Sequence, residues 1–215
     1  MFTDELDAKN NPHKLKSVEK IRAQELKPLL ANANYLLDIH CTIKPSTPFV
    51  YCENTLHHLR LAKCFDAPYI VSPKAKSLPP SLISSTDSYI DRHGGIGLTY
   101  EAGWHKKPAP VKIIMASTLQ MLKIIGSIGQ DAQTAVKINP TQKSTTLIIY
   151  QEISPKTTKF RFVKDWKNLD KISAGATLAF DGKKKIRALK SAYIIFPKLD
   201  LIINKPACYL ATPIK

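Results

Sequence analysis

No stretch of the 215 residues approaches the ~20 consecutive apolar residues that a membrane-spanning helix requires. The first residues, Phe2-Thr3-Asp4-Glu5-Leu6-Asp7, are acidic and lack the apolar run of a secretion signal. The four cysteines (Cys41, Cys52, Cys64 and Cys208) form no Cys-x-x-Cys pair, which argues against a disulfide framework or a zinc knuckle. They read as reduced thiols of a cytoplasmic protein. Gly94-Gly95-Ile96-Gly97 is permissive for tight turns and close backbone approach, but no Gly-Lys-Ser/Thr follows it, so a nucleotide-phosphate loop is not expected.

Basic side chains, by contrast, are abundant. The formal net charge is +15, and it is unevenly spread. Residues 1–60 hold 8 basic and 7 acidic side chains, whereas residues 131–215 hold 16 basic and 6 acidic. Such a region can bind nucleic acid or attract a carboxylate-bearing small molecule. The lysines are scattered, with Lys183-Lys184-Lys185 the one run, so no nucleic-acid partner and no membrane partner is expected.

The length suits one ordinary domain or one plus a small appendage, and the 44% hydrophobic content is that of a globular chain. Val18, Ile21, Leu26, Leu29 and Leu30 recur at helical spacing behind Ser17, a candidate cap. Tyr35 to Ile39 reads as a buried strand that delivers His40 and breaks at Pro45. Pro48 to Cys52 and Pro68 to Val71 read as further strands. Between them, Thr55 opens a helix carrying Leu56, Leu59, Leu61 and Ala62, with His57 and His58 as solvent-side or capping residues. Lys74 to Ser88 reads as a loop, and Ser117 as the cap of a helix ending at Gly126 or Gly129. After about Gln133 the pattern turns to closely spaced strands: Thr145–Tyr150, Lys159–Val163, Leu178–Phe180 and Ser191–Phe196, with Asp181-Gly182 as a hairpin turn. An α/β domain over residues 1–134 followed by a small β domain over 135–215 is the expected organisation.

Two stretches carry candidate chemistry. In Asp38-Ile39-His40-Cys41-Thr42, a histidine stands at a strand end, where crevices of open α/β sheets form. Asp38, two residues earlier, points to the same side and can fix the imidazole tautomer. In the second, a glycine-rich turn leads into a short strand bearing Glu101-Ala102-Gly103. Together these resemble the succinylglutamate desuccinylase/aspartoacylase family of zinc-dependent deacylases, relatives of the zinc carboxypeptidases. The resemblance runs from about Ser17 to the C-terminus.

It implies a carboxypeptidase-like mixed sheet flanked by helices with a C-terminal β domain, and hydrolysis of a small anionic N-acyl amino acid. It implies His40 as a zinc ligand, Glu101 as the catalytic carboxylate, and Tyr209 as a substrate-site residue from the tail. Arg92 is the candidate for holding a substrate carboxylate in a bidentate fork, with Lys44 as the alternative. A homo-oligomer is compatible with these readings. One departure stands out: the family draws two more zinc ligands from a His-x-x-Glu segment, and none occurs here. The family's Asn-Arg substrate motif is absent too. Either the chain is an N-terminally truncated enzyme, or it is an inactive relative that serves as a basic binding module for anionic ligands. Limited proteolysis is expected to cut first near residues 130–142 or between Lys74 and Ser88; first cuts elsewhere would contradict the division of the chain.

Overall fold

The computed structural model describes residues 18–73, 85–132 and 144–214. Both expected proteolysis segments, and the Ser17 cap, lie wholly or largely outside them. The elements run α1 (Val18–Ala31), β1 (Tyr35–Thr42), β2 (Phe49–Cys52), α2 (Leu56–Ala62), β3 (Tyr69–Ser72), α3 (Thr86–Arg92), β4 (Ile96–Trp104), β5 (Lys107–Pro108) and α4 (Val111–Ile124). Only strands follow among the described residues: β6 (Thr145–Ile153), β7 (Phe160–Phe162), β8 (Lys171–Ile172), β9 (Thr177–Asp181), β10 (Lys184–Arg187), β11 (Ala192–Ile195) and β12 (Cys208–Pro213).

Nine strands form one mixed sheet in the order β1-β4-β2-β3-β6-β12-β11-β8, with β5 paired to β4. β6 joins parallel to β3 and antiparallel to β12, so strands from the last third of the chain extend the sheet begun by the first. β7, β9 and β10 make a separate antiparallel sheet whose Asp181-Gly182 turn has Gly182 at φ 60°. This is the fold of a carboxypeptidase-like deacylase, a mixed sheet flanked by helices with a small second sheet.

Alternation along the strands divides the core. Val50, Cys52, Leu98, Tyr100 and Ala102 face Leu61 and Ala62 of α2 and Met121 of α4. Phe49, Tyr51, Val71, Leu147, Ile149, Tyr209 and Ala211 line the other face. There α3 lies against β4, and α1 packs on α3 through Ala23, Leu26 and Leu30 against Tyr89. The glycines make that approach possible. A Cβ at Gly97 would stand 2.5 Å from the Asp87 carbonyl oxygen and 2.6 Å from its Cα.

Four local readings are corrected by the structure. β1 is an edge strand, not a buried one, because its apolar residues have one neighbouring strand to pack beside. Val18, Ile21 and Leu29 of α1 and Leu56 of α2 are exposed: α1 buries only a stripe around Ala23. Residues 86–88, taken as the end of a loop, open α3, which runs on to Arg92. Finally, α4 starts behind Pro110, six residues before Ser117, which is buried inside it. Proline presets the backbone of a first turn, which competes successfully with a serine cap.

Gly97→Ala drives a Cβ into backbone that has no side chain to swing away, and overpacking of this kind costs about 1–3 kcal/mol or more. Urea denaturation should show a lowered midpoint; an unchanged midpoint would mean that α3 is free to shift.

Candidate functional site

The site grows out of the parallel pairing of β1 with β4. The register places His40 beside Glu101 and Asp38 beside Thr99. Strands in a sheet lie about 4.8 Å apart and paired residues share a face, so the imidazole and the carboxylate project side by side. Immediately beyond them the register shifts, with Thr42 paired to Trp104. The extra residue falls in β4, where Gly103 adopts φ 97°, a conformation that favours glycine. The buried Thr42 hydroxyl lies 2.8 Å from the Lys44 carbonyl and 3.1 Å from that of Gly103, tying the two strands where pairing ends. The threonine and the glycine of the two motifs therefore shape the same irregularity.

His40 Nε2 stands 2.8 Å from Asp38 Oδ1, and the Thr86 hydroxyl donates to Asp38 Oδ2 at 2.5 Å. This pair holds the ring with its Nδ1 lone pair available. The hydrogen bond from His40 holds Asp38 below the usual carboxylate range, and Asp38 in turn raises His40 above 6.5, against the burial that opposes both. Glu101 is 6% exposed, and its Oε2 has no hydrogen-bond partner among the described residues. Burial pushes its carboxyl up, Asp38 adds to that, and the charges of His40 and Lys198 pull it back down.

The other sequence candidates do not converge on this pair. Arg92 ends α3 at the opposite end of β4, five strand residues or about 17 Å from Glu101, with its guanidinium 5.7 Å from the Tyr89 ring centre. Arg92 closes α3, whose last turn holds it beside Tyr89. Lys44 is buried and ion-paired with Asp165, so its ammonium is not free for a substrate carboxylate. Tyr209 is 3% exposed in the apolar cluster with Phe49 and Tyr51. His58, read as solvent-side or capping, is buried: Nδ1 meets the Thr55 hydroxyl at 2.7 Å and Nε2 meets Asp91 Oδ1 at 3.0 Å.

Three residues escaped the sequence. Thr86 lay in a polar run that gave no helical periodicity. Lys198 brings positive charge to Glu101 from a remote loop. Asn168, also buried, donates to Ser46 Oγ at 3.0 Å and accepts from the Phe196 N–H at 2.6 Å, joining the segment after β1 to the one leading to Lys198. No motif marks any of them, because each acts through tertiary contact.

Zinc, which the fold implies, does not fit the residues described. No group of three or more His, Cys, Asp or Glu side chains that could hold a metal ion occurs among them, and His40 is the single imidazole beside Glu101. No helix among them is long and apolar enough to cross a membrane.

Neither protein-family models nor curated protein sequences match the chain. Solved structures do, among them several succinylglutamate desuccinylases. The succinylglutamate desuccinylase from Vibrio parahaemolyticus superposes with TM-score 0.70 at 21% identity, over 93% of this chain and 62% of that one. That from Vibrio cholerae gives 0.71 at 21% identity, over 92% and 61%. A succinylglutamate desuccinylase/aspartoacylase from Rhodobacter sphaeroides gives 0.62 at 16% identity, over 95% and 66%. The chain thus has the succinylglutamate desuccinylase/aspartoacylase fold, and spans rather less than two thirds of each of these structures.

The Asp38–His40 contact has a defined pH signature. The raised His40 adds stability that is complete below 6.5 and lost as pH rises through its folded value. The lowered Asp38 adds stability present above 3.8 and lost as pH falls through its folded value. Both contributions coexist between those limits. Imidazole NMR should show His40 titrating above 6.5, and Asp38→Asn should move it down; an unmoved titration would break the link. Glu101 runs the other way, since burial of its charge costs stability above its folded pKa. Glu101→Gln should therefore raise the melting temperature at pH 7, with a gain that shrinks as pH falls through the folded value and is gone below 4.5.

Proposed function

We propose that this chain carries the acid–base centre of an amide hydrolase of the deacylase type, acting on a small anionic N-acyl amino acid. The observation that supports this is the pairing of His40 with Glu101 across adjacent parallel strands, with one buried Glu101 oxygen lacking a protein partner.

Amide hydrolysis needs a group that takes a proton from water and returns one to the leaving amine. A carboxylate in water is too acidic to do both well near neutrality. Burial raises the proton affinity of Glu101 and moves it towards the range in which both transfers are efficient. The unpartnered Oε2 is the atom that receives the proton. His40, held by Asp38, stabilises the charged carboxylate between transfers. Thr86 holds Asp38 in place from α3. The chain's net charge of +15 and Lys198 near Glu101 favour an anionic substrate.

The residues described do not compose a zinc site. The activity is expected of a protein in which a segment bearing His-x-x-Glu precedes this chain. Fusing such a segment upstream should produce stoichiometric zinc retention after gel filtration and hydrolysis of N-acyl amino acids. In that fusion Glu101→Gln should lower turnover by about 100-fold or more, as expected for loss of a general base, while zinc content stays unchanged. Full turnover in the Gln variant would remove Glu101 from the chemistry. Tight, salt-sensitive binding of duplex DNA, together with no binding of acyl amino acids, would favour the binding-module reading instead.

A further inference from the structure

Helices α2 and α3 lie on opposite faces of the nine-stranded sheet, yet they meet around one of its ends. β2 finishes there, with Cys52 paired to Leu98, and β4 begins there at Ile96. His58 of α2 reaches Asp91 of α3 around that end, with Nε2 3.0 Å from Oδ1. Both side chains are buried, at 6% and 7% exposure. The same Asp91 oxygen accepts the Gly97 N–H at 2.7 Å, so it ties α3 to the start of β4 as well as to α2. On the far side of the ring, Nδ1 stands 2.7 Å from the Thr55 hydroxyl. A carboxylate only accepts, so Nε2 carries a hydrogen, and in the neutral ring Nδ1 then accepts from Thr55. Both ring nitrogens are matched, as burial requires. The acid–base centre makes no direct use of this network.

We infer that His58 is a positioning residue: through Asp91 it sets where α3 stands, and so holds the Thr86 hydroxyl on Asp38 and the His40 ring in its orientation. The path is short and stiff. Thr86 and Asp91 are five residues apart, about 7.5 Å along roughly 1.4 turns of one helix, so a displacement at one end is carried to the other. The receiving contact has little slack. Thr86 lies 2.5 Å from Asp38 Oδ2, and a hydrogen bond is lost by about 3.5 Å, so a movement of about 1 Å breaks it.

Apolar packing does not supply the same constraint. Ile90 is fully buried, and with Gly95 and Gly97 it sets how deeply α3 seats against β4. Apolar burial is non-directional, however, and leaves the helix free to slide along the strand. The hydrogen bonds to Asp91 are directional and fix that coordinate. The inference rests on the deacylase reading only in that the oriented ring serves Glu101; the positioning itself is read without substrate.

The test is long-range 1H–15N NMR of the imidazole rings at pH 7 on 15N-labelled chain. Thr86→Val removes the donor to Asp38 directly, and the shift of the His40 ring nitrogens in that variant sets the scale. His58→Phe keeps a ring and loses the hydrogen bond; it should move the His40 nitrogens in the same direction by half of that shift or more. The double variant should add little to either single change, because both act on one contact. His58→Gln, whose amide nitrogen can stand where Nε2 stands, should return the resonances towards their original positions. Leu61→Ala empties a buried position of α2 without touching Asp91, so it should lower the melting temperature and leave His40 unmoved. Original His40 resonances in folded His58→Phe would overturn the proposal even with a lowered melting temperature, since a merely structural role gives that result. Equal movement in Leu61→Ala, or no recovery in His58→Gln, would overturn it too. If His58→Phe does not fold, His58→Asn takes its place, because its shorter amide keeps the Thr55 side and cannot reach Asp91. In the fusion that carries His-x-x-Glu, His58→Phe should lower kcat by about 10-fold or more with KM little changed, as a misplaced group does. No hydrolysis by the unaltered fusion would count against the deacylase reading and not against the positioning.

Discussion

The β1–β4 ladder is the constraint on which the site depends. Because side chains alternate with a period of two, a slip of one residue would send His40 and Asp38 to the face occupied by α2 and α4 and leave Glu101 facing an apolar strand. Several features hold that register. Gly95 and Gly97 let α3 approach the start of β4 closely enough for Thr86 to reach Asp38. At the far end, the bulge at Gly103 and the Thr42 hydroxyl stop regular pairing just past the His40–Glu101 pair.

The electrostatics of the pair follow from burial on one side and exposure on the other. His40 is half-exposed at the sheet edge and can carry charge cheaply, while Glu101, one strand inward, cannot. Placing the two in register couples an easily charged base to a reluctant acid. The same gradient underlies their opposite effects on stability as pH changes.

The sequence revealed what depends on local chemistry. His40, Asp38 and Glu101 could be read because short motifs carry them. Four strands after residue 144 (β6, β7, β9 and β11) could be read because alternation and an Asp-Gly turn mark them, whereas β8, β10 and β12 were not read. What stayed hidden depends on who packs against whom. Tyr35-Leu36-Leu37 is apolar enough for an interior strand, and nothing local says that a second neighbour is missing. Lys44 resembles any surface lysine until Asp165 arrives from 121 positions away. Arg92 was placed by counting back from Glu101, and the count was blind to the helix that ends at the arginine. His58 was read as solvent-side or capping; its contact with the cap Thr55 is local, but its burial was hidden because its other partner, Asp91, lies 33 residues on.

The position of β12 in the sheet has a consequence for how the protein is made. The last strand of the chain, Cys208–Pro213, is inserted between β6 and β11 and is not added at an edge. A growing chain therefore displays β6 as an unfinished border until β12 has been made. The segment after His40 likewise waits for Asn168 to bind Ser46 and Pro45. Contacts so distant in sequence form late and slowly, because the entropy of closing long loops is lost before they can repay it. The sheet cannot mature stretch by stretch: the segment carrying His40 and Glu101 is made early, yet the sheet beneath them closes only once Cys208–Pro213 is in place.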